Sequence, residues 1–188
     1  AEALREDYHV IAPDLRGHGD SQWMIGGSYS ISEFVYDTAQ LIHQAKLAPL
    51  RIIGHSLGGG ISLRYTGIYP DNVIKLIAIE GLGLPPHRLA ERTERPVSER
   101  MTRWIETLRD MSGRLTRRYE TLDEAYQRMH EANPHLTPNQ ARHLTIHGVS
   151  QNEDGSYGWK FDNYVRAFSP EAVDQDDTNA LWARITCP

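Results

Sequence analysis

The chain has 188 residues, 39% of them hydrophobic and 24% charged, which suits one compact domain or one domain with a small insertion and excludes a fibrous protein or a long disordered tail. The net charge of −5 gives no general attraction for nucleic acid or for an anionic membrane, and no apolar run approaches the roughly 20 residues that span a bilayer. The single Cys187 excludes an internal disulfide, so a cytoplasmic protein with an ordinary thiol is expected.

The chain opens at Ala1 inside what reads as the end of a helix. It closes at Pro188 on a segment poised to enter a strand, so an internal fragment of a longer protein is expected. The lack of a visible signal peptide therefore carries no weight.

In chain order, residues 8–12 (Tyr-His-Val-Ile-Ala) read as a short apolar strand. A loop rich in turn formers follows from Pro13 to Ser21. Ser30 and Glu33 make a capping box, and Phe34, Thr38, Leu41, Ile42 and Ala45 recur at helical spacing, predicting a helix to about Leu47. Residues 50–53 read as a strand, 57–69 as a helix stopped by Pro70, and 73–79 as a strand. That last strand is apolar except for Lys75, as expected for a parallel sheet covered on both faces.

After Pro85 the texture becomes helical and polar. Residues 97–111 read as one helix, and Thr121 with Glu124 caps the next. Thr137, Pro138 and Gln140 start a helix that should end near Gly148, and Asp154-Gly155 marks a turn. Residues 1–84 are thus read as an α/β core, 85–173 as an all-helical cap insertion, and 174–188 as the return to the core through a helix over 177–184. Arginines from Arg88 to Arg128 alternate with almost as many acids, which makes a salt-bridged helix face and not a basic stripe.

The chemistry concentrates at Gly54-His55-Ser56-Leu57-Gly58, a G-x-S-x-G between a predicted strand and a predicted helix. That context demands a sharp turn, which strains the Ser56 backbone and lifts its Oγ above the sheet. Gly54 and Gly58 are expected where a Cβ would collide across the turn, and Gly59 and Gly60 where the helix packs close to the sheet. The N–H of Leu57, at the helix start, is placed to donate to a developing oxyanion.

With these residues in view, the sequence resembles the α/β-hydrolase superfamily. Residues Ile11 to Ser21 are similar to the loop after that family's fourth strand, and Gly54 to Gly59 to its nucleophile elbow. The segment from Ile79 to Pro86, Ala141-Arg142-His143-Leu144, Asn152 to Ser156 and Arg166 to Pro170 resemble, more narrowly, the capped serine hydrolase-like proteins. The resemblance implies a mostly parallel sheet flanked by helices, with a helical cap, and a Ser56 nucleophile. It also implies that the family's oxyanion loop and third strand precede Ala1. The catalytic His would follow Pro188.

Glu80 ends the apolar strand and precedes Gly-Leu-Gly, where burying an acid is costly without a task or a partner. In some members of the family the acid follows the sixth strand, which 73–79 resembles, so Glu80 is a candidate acid. The other reading makes it a rim residue, with the acid beyond Pro188. The resemblance makes Asp14 an organiser of its loop and His55 a packing residue beside the pocket. His18 is read as a loop hydrogen-bonding residue. His143 and His147 stand four apart as metal ligands do, but no third ligand is evident and no metal is expected. Trp104, Leu108, Met111, Met129, Trp159, Phe161, Tyr164 and Phe168 supply cap core, and some of them pocket lining.

The expected function is a serine hydrolase acting on a small, fairly apolar ester, thioester or lactone, with no cofactor and no nucleic-acid or membrane partner. A carbon–carbon bond hydrolase with the same triad and a non-catalytic ligand-binding relative are the alternatives. Ser rather than Asp at position 56 argues against dehalogenase and epoxide-hydrolase chemistry. The 188 residues alone are expected to be inactive, and the sequence leaves the oligomeric state open.

Overall fold

Local capping signals set several helix starts in the structure. It is a computed structural model that describes every residue except 25–28, 84, 115, 168–169 and 171–173, and the side chains of residues 86, 88, 92 and 93. Helix α1 (Ile31–Gln44) opens on the expected box, with Glu33 N–H donating to Ser30 Oγ and Ser30 N–H to Glu33 Oε2 at 2.8 Å. Strand β1 (Leu50–His55), helix α2 (Leu57–Ile68) and strand β2 (Val73–Ile79) follow, close to the predicted bounds. Then come α3 (Pro86–Glu94) and α4 (Val97–Met111). The rest is β3 (Arg118–Tyr119), α5 (Leu122–Ala132), α6 (Pro138–Gly148), β4 (Val149–Gln151), β5 (Tyr157–Trp159) and α7 (Gln175–Trp182).

The contacts gather into two compact units, Gly27–Arg109 with Ala167–Pro188, and Ala1–Gly26 with Asp110–Arg166. In the first, β1 and β2 run parallel and end in register on the pair His55–Ile79. Ile42, Tyr65 and Val73 form its core with Leu50, Ile52, Leu76 and Cys187, so α1 and α2 cover one face of the strand pair. The Tyr65 hydroxyl accepts from Asn72 Nδ2 at 3.0 Å, and burial holds that phenol above its usual pKa. After α7 the chain returns beside β2, where Leu76 N–H donates to Pro188 O at 3.1 Å.

The other face of β1 and β2 departs from the expectation of a sheet covered on both sides. Ile53, Ile77 and Ile79 alternate onto it and stay 47–58% exposed. Residues 8–12 also differ, because they form no strand. A strand exists only as a ladder, and no described segment pairs with this one.

In the second unit β3, β5 and β4 form an antiparallel sheet, in that order, against α5 and α6. Tyr119, Ala125 and Val149 are its core, and Trp159 donates to the Tyr119 hydroxyl at 3.1 Å. The insertion read as all-helical thus carries a small sheet as well. Thr121 accepts from Glu124 N–H, but the Glu124 carboxylate accepts from Glu120 N–H, so the box expected there is only half formed.

The loop after residues 8–12 is stitched to this unit. Gly19 N–H donates to Lys160 O at 2.7 Å and Asp162 N–H to Gly17 O at 2.8 Å, while His18 and Phe161 form an isolated bridge. Lys160 Nζ pairs with Asp20 at 2.7 Å. Within the loop, the Asp14 carboxylate accepts from Asp20 N–H and His18 Nδ1 lies 3.0 Å from Arg16 O, the structural roles expected of both residues.

Candidate active site

Ser56 joins β1 to α2 with no intervening loop. Its backbone sits at φ 50°, ψ −114°, a conformation that costs a non-glycine residue about 1–3 kcal/mol and that nearby packing must impose. The packing is visible. Ser56 N–H donates to Ile79 O at 2.9 Å and Gly60 N–H to Ser56 O at 3.1 Å, so the turn is pinned to the end of β2 and to its own helix.

The glycines make that approach feasible. A Cβ on Gly54 would fall 2.6 Å from Ser62 Oγ and against the Gly58 carbonyl, and one on Gly59 would fall 2.7 Å from Glu80 O. Gly58 differs from the expectation, since a Cβ there meets nothing within 4 Å among the described residues. The collision belongs to one side of the turn only, because the Gly58 carbonyl rather than its Cα faces Gly54.

Ser56 is exposed. Leu57 opens α2, so its N–H, like the other first-turn N–H groups, has no acceptor within the helix. The helix N-terminus also adds partial positive charge there. One turn on, Arg64 Nη1 lies 3.3 Å from Gly60 O, and burial lowers the guanidinium pKa.

Glu80 follows β2 directly, at φ 61°, and Gly81 continues at φ 84°. These two left-handed residues fold the strand exit against the first turn of α2. The carboxylate is not buried, as its position after an apolar strand had suggested. Its side chain is 76% exposed, and Glu80 Oε2 lies 3.8 Å from His55 Nε2. His55 is exposed too, 69% by side chain, rather than packed. Sequence reasoning missed this pairing. Its signal was that both residues stand at the carboxyl ends of adjacent parallel strands.

No His hydrogen bonds to Ser56 Oγ among the described residues. The His143 and His147 rings lie 4.5 Å apart on α6, and no group of three metal-ligating side chains occurs among the described residues. Of the aromatic candidates, Trp159 packs in the second unit's core and Phe161 lies under the Arg166 guanidinium at 5.0 Å. Trp104, Leu108, Met111, Met129 and Tyr164 are half-buried, and Phe168 falls outside the described residues. No described helix is long and apolar enough to cross a membrane.

A parallel strand, a strained serine and a glycine-rich helix start together define an α/β-hydrolase elbow. The chain belongs to the alpha/beta hydrolase fold family, whose sequence model matches residues 1–125. It is 27% identical to esterase Rv0045c of Mycobacterium tuberculosis, covering 94% of this chain and 56% of that protein. It is 26% identical to a serine hydrolase-like protein of Danio rerio, over 81% of this chain and 46% of that one. The chain thus spans about half the length of these curated relatives. Among solved structures, the thioesterase domain from the curacin biosynthetic pathway matches with a TM-score of 0.74 at 24% identity, covering 100% of this chain and 64% of that domain. At that identity the likeness is one of fold.

Proposed function

We propose that this chain carries the nucleophile and the acid of a serine hydrolase that cleaves a small, fairly apolar ester, thioester or lactone through an acyl-enzyme. Ser56 Oγ attacks the carbonyl carbon and gives its proton to a histidine base. The Leu57 N–H donates to the oxyanion that forms. The Glu80 carboxylate accepts from Nδ1–H of that histidine and keeps its tautomer correct. The base is supplied by the longer protein, and no cofactor takes part.

The observation that carries this reading is the Ser56 backbone at φ 50°, ψ −114° between β1 and α2, a strained conformation, outside the left-handed helical region, that the packing around the turn maintains. Family membership supports it, as do the names of the two relatives, an esterase and a serine hydrolase-like protein.

The test is labelling of the full-length protein with a fluorophosphonate probe. Ser56→Ala is expected to abolish labelling and to cut turnover of p-nitrophenyl esters by several orders of magnitude, because triad members act as a unit. Labelling that survives the substitution would overturn the assignment. The 188 residues expressed alone are expected to give no Ser56-dependent turnover.

A further inference from the structure

The ends of β1 and β2 fix the backbone beneath two exposed polar side chains, His55 and Glu80. The strands finish in register, His55 beside Ile79, so the residue before Ser56 and the residue after Ile79 leave the sheet together. The backbone beneath them has little freedom. Ser56 N–H is bonded to Ile79 O, the Glu80 carbonyl lies over Gly59, and a Cβ on Gly81 would strike Gly60 N at 2.7 Å. Rigid backbone does not orient a glutamate, which keeps three side-chain torsions. A second contact on its other oxygen would fix the direction in which such an acid accepts Nδ1–H of a histidine.

Among the described residues, His55 is the one side-chain partner of the Glu80 carboxylate. We infer that His55 is a positioning residue for Glu80: its Nε2–H holds Oε2 and leaves Oε1 for the base. The inference rests on the reading of Glu80 as the acid. At 3.8 Å the pair is longer than a hydrogen bond, and closing it takes a shift of about 0.9 Å, within the swing of two exposed side chains. Such contacts commonly tighten when the site is filled. An exposed pair of this kind adds little to stability. Its effect belongs in turnover and not in the melting temperature, which separates positioning from a merely structural role.

The experiment is a double-mutant cycle in the full-length protein, read by kcat and KM on a p-nitrophenyl ester and by thermal unfolding. His55→Phe is expected to lower kcat about tenfold with KM and melting temperature little changed, the scale of one lost hydrogen bond to a charged group. His55→Gln, whose amide N–H reaches the same region, is expected to restore most of that loss. On a Glu80→Gln background, His55→Phe is expected to add nothing. A kcat within about twofold of wild type for His55→Phe, beside a crippled Glu80→Gln, would overturn the inference and leave Glu80 as the acid. So would an equal loss on both backgrounds. Near-normal turnover of Glu80→Gln would overturn the reading of Glu80 itself, and the inference with it. If His55→Phe melts early, His55→Ala takes its place in the cycle under the same criteria.

Discussion

Gly59→Ala probes how closely the two strand exits are clamped. The added Cβ would lie 2.7 Å from Glu80 O, and 3.4 Å from both Glu80 C and Gly54 O. Reaching ordinary contact means parting α2 from the end of β2 by about 0.7 Å. The obstacle is backbone in a left-handed turn, so no side chain swings aside. Overpacking of this kind costs about 1–3 kcal/mol, while alanine for glycine in a helix returns about 1 kcal/mol. Gly58→Ala, one residue earlier in the same helix and with no atom of the described residues within 4 Å of the added Cβ, isolates the second effect. The difference between the two variants is therefore expected to be about 1–3 kcal/mol with the helix contribution cancelled. Urea unfolding of the full-length protein measures it as a separation of midpoints at constant m. Equal midpoints, or a Gly59→Ala protein more stable than Gly58→Ala, would refute the clamp.

Two further outcomes follow from contacts away from the elbow. Arg184 Nε donates to Gly67 O at 2.8 Å, with Nη2 3.5 Å from Ile68 O, so it caps the carbonyl end of α2. Arg184→Ala is expected to cost about 1–2 kcal/mol in chemical denaturation, and unchanged stability would remove the cap from the account. In the β4–β5 turn, the Ser156 hydroxyl and then the Ser156 N–H hold the Asp154 carboxyl below its usual pKa, with Arg118 alongside. A depressed acid contributes stability that is present above the unfolded pKa of about 3.9 and is lost as pH falls through the lower folded value. Amide exchange in the hairpin is therefore expected to quicken below about pH 4 in the wild type, relative to Asp154→Asn. The same acid dependence in both proteins would contradict this.

What the sequence disclosed was what depends on neighbours within a few residues. Ser30 with Glu33, and Thr137 with Gln140, announce helix starts because capping is a three-residue event, and both boxes form. β1 and β2 were legible because their runs are apolar and β-branched between clear breakers. Residues 8–12 carry the same signal and form no strand, since pairing is a property of two segments and not of one. The β3–β5–β4 sheet escaped because its strands have two or three residues, too short for alternation to register. At the site, Ser56 and its strain were readable from G-x-S-x-G in context. The exposure of Glu80 and its pairing with His55 were not, because both depend on which faces of the strands are covered.

The stitch between residues 17–19 and 160–162 joins positions about 140 residues apart along the chain. Local contacts such as the α1 cap can form as soon as their few residues exist, whereas this one closes a very long loop and waits for the β4–β5 hairpin. At a synthesis rate of about 5–20 residues per second, Gly17 and Gly19 are added to the chain roughly 7–28 s before Lys160 and Asp162 are made to receive them. During that interval the Asp14–Ser21 turn relies on its own bonds, Asp14 to Asp20 and Ser21, and His18 to Arg16. The loop's internal bonds, unlike the stitch, need only residues made within the same short stretch of synthesis.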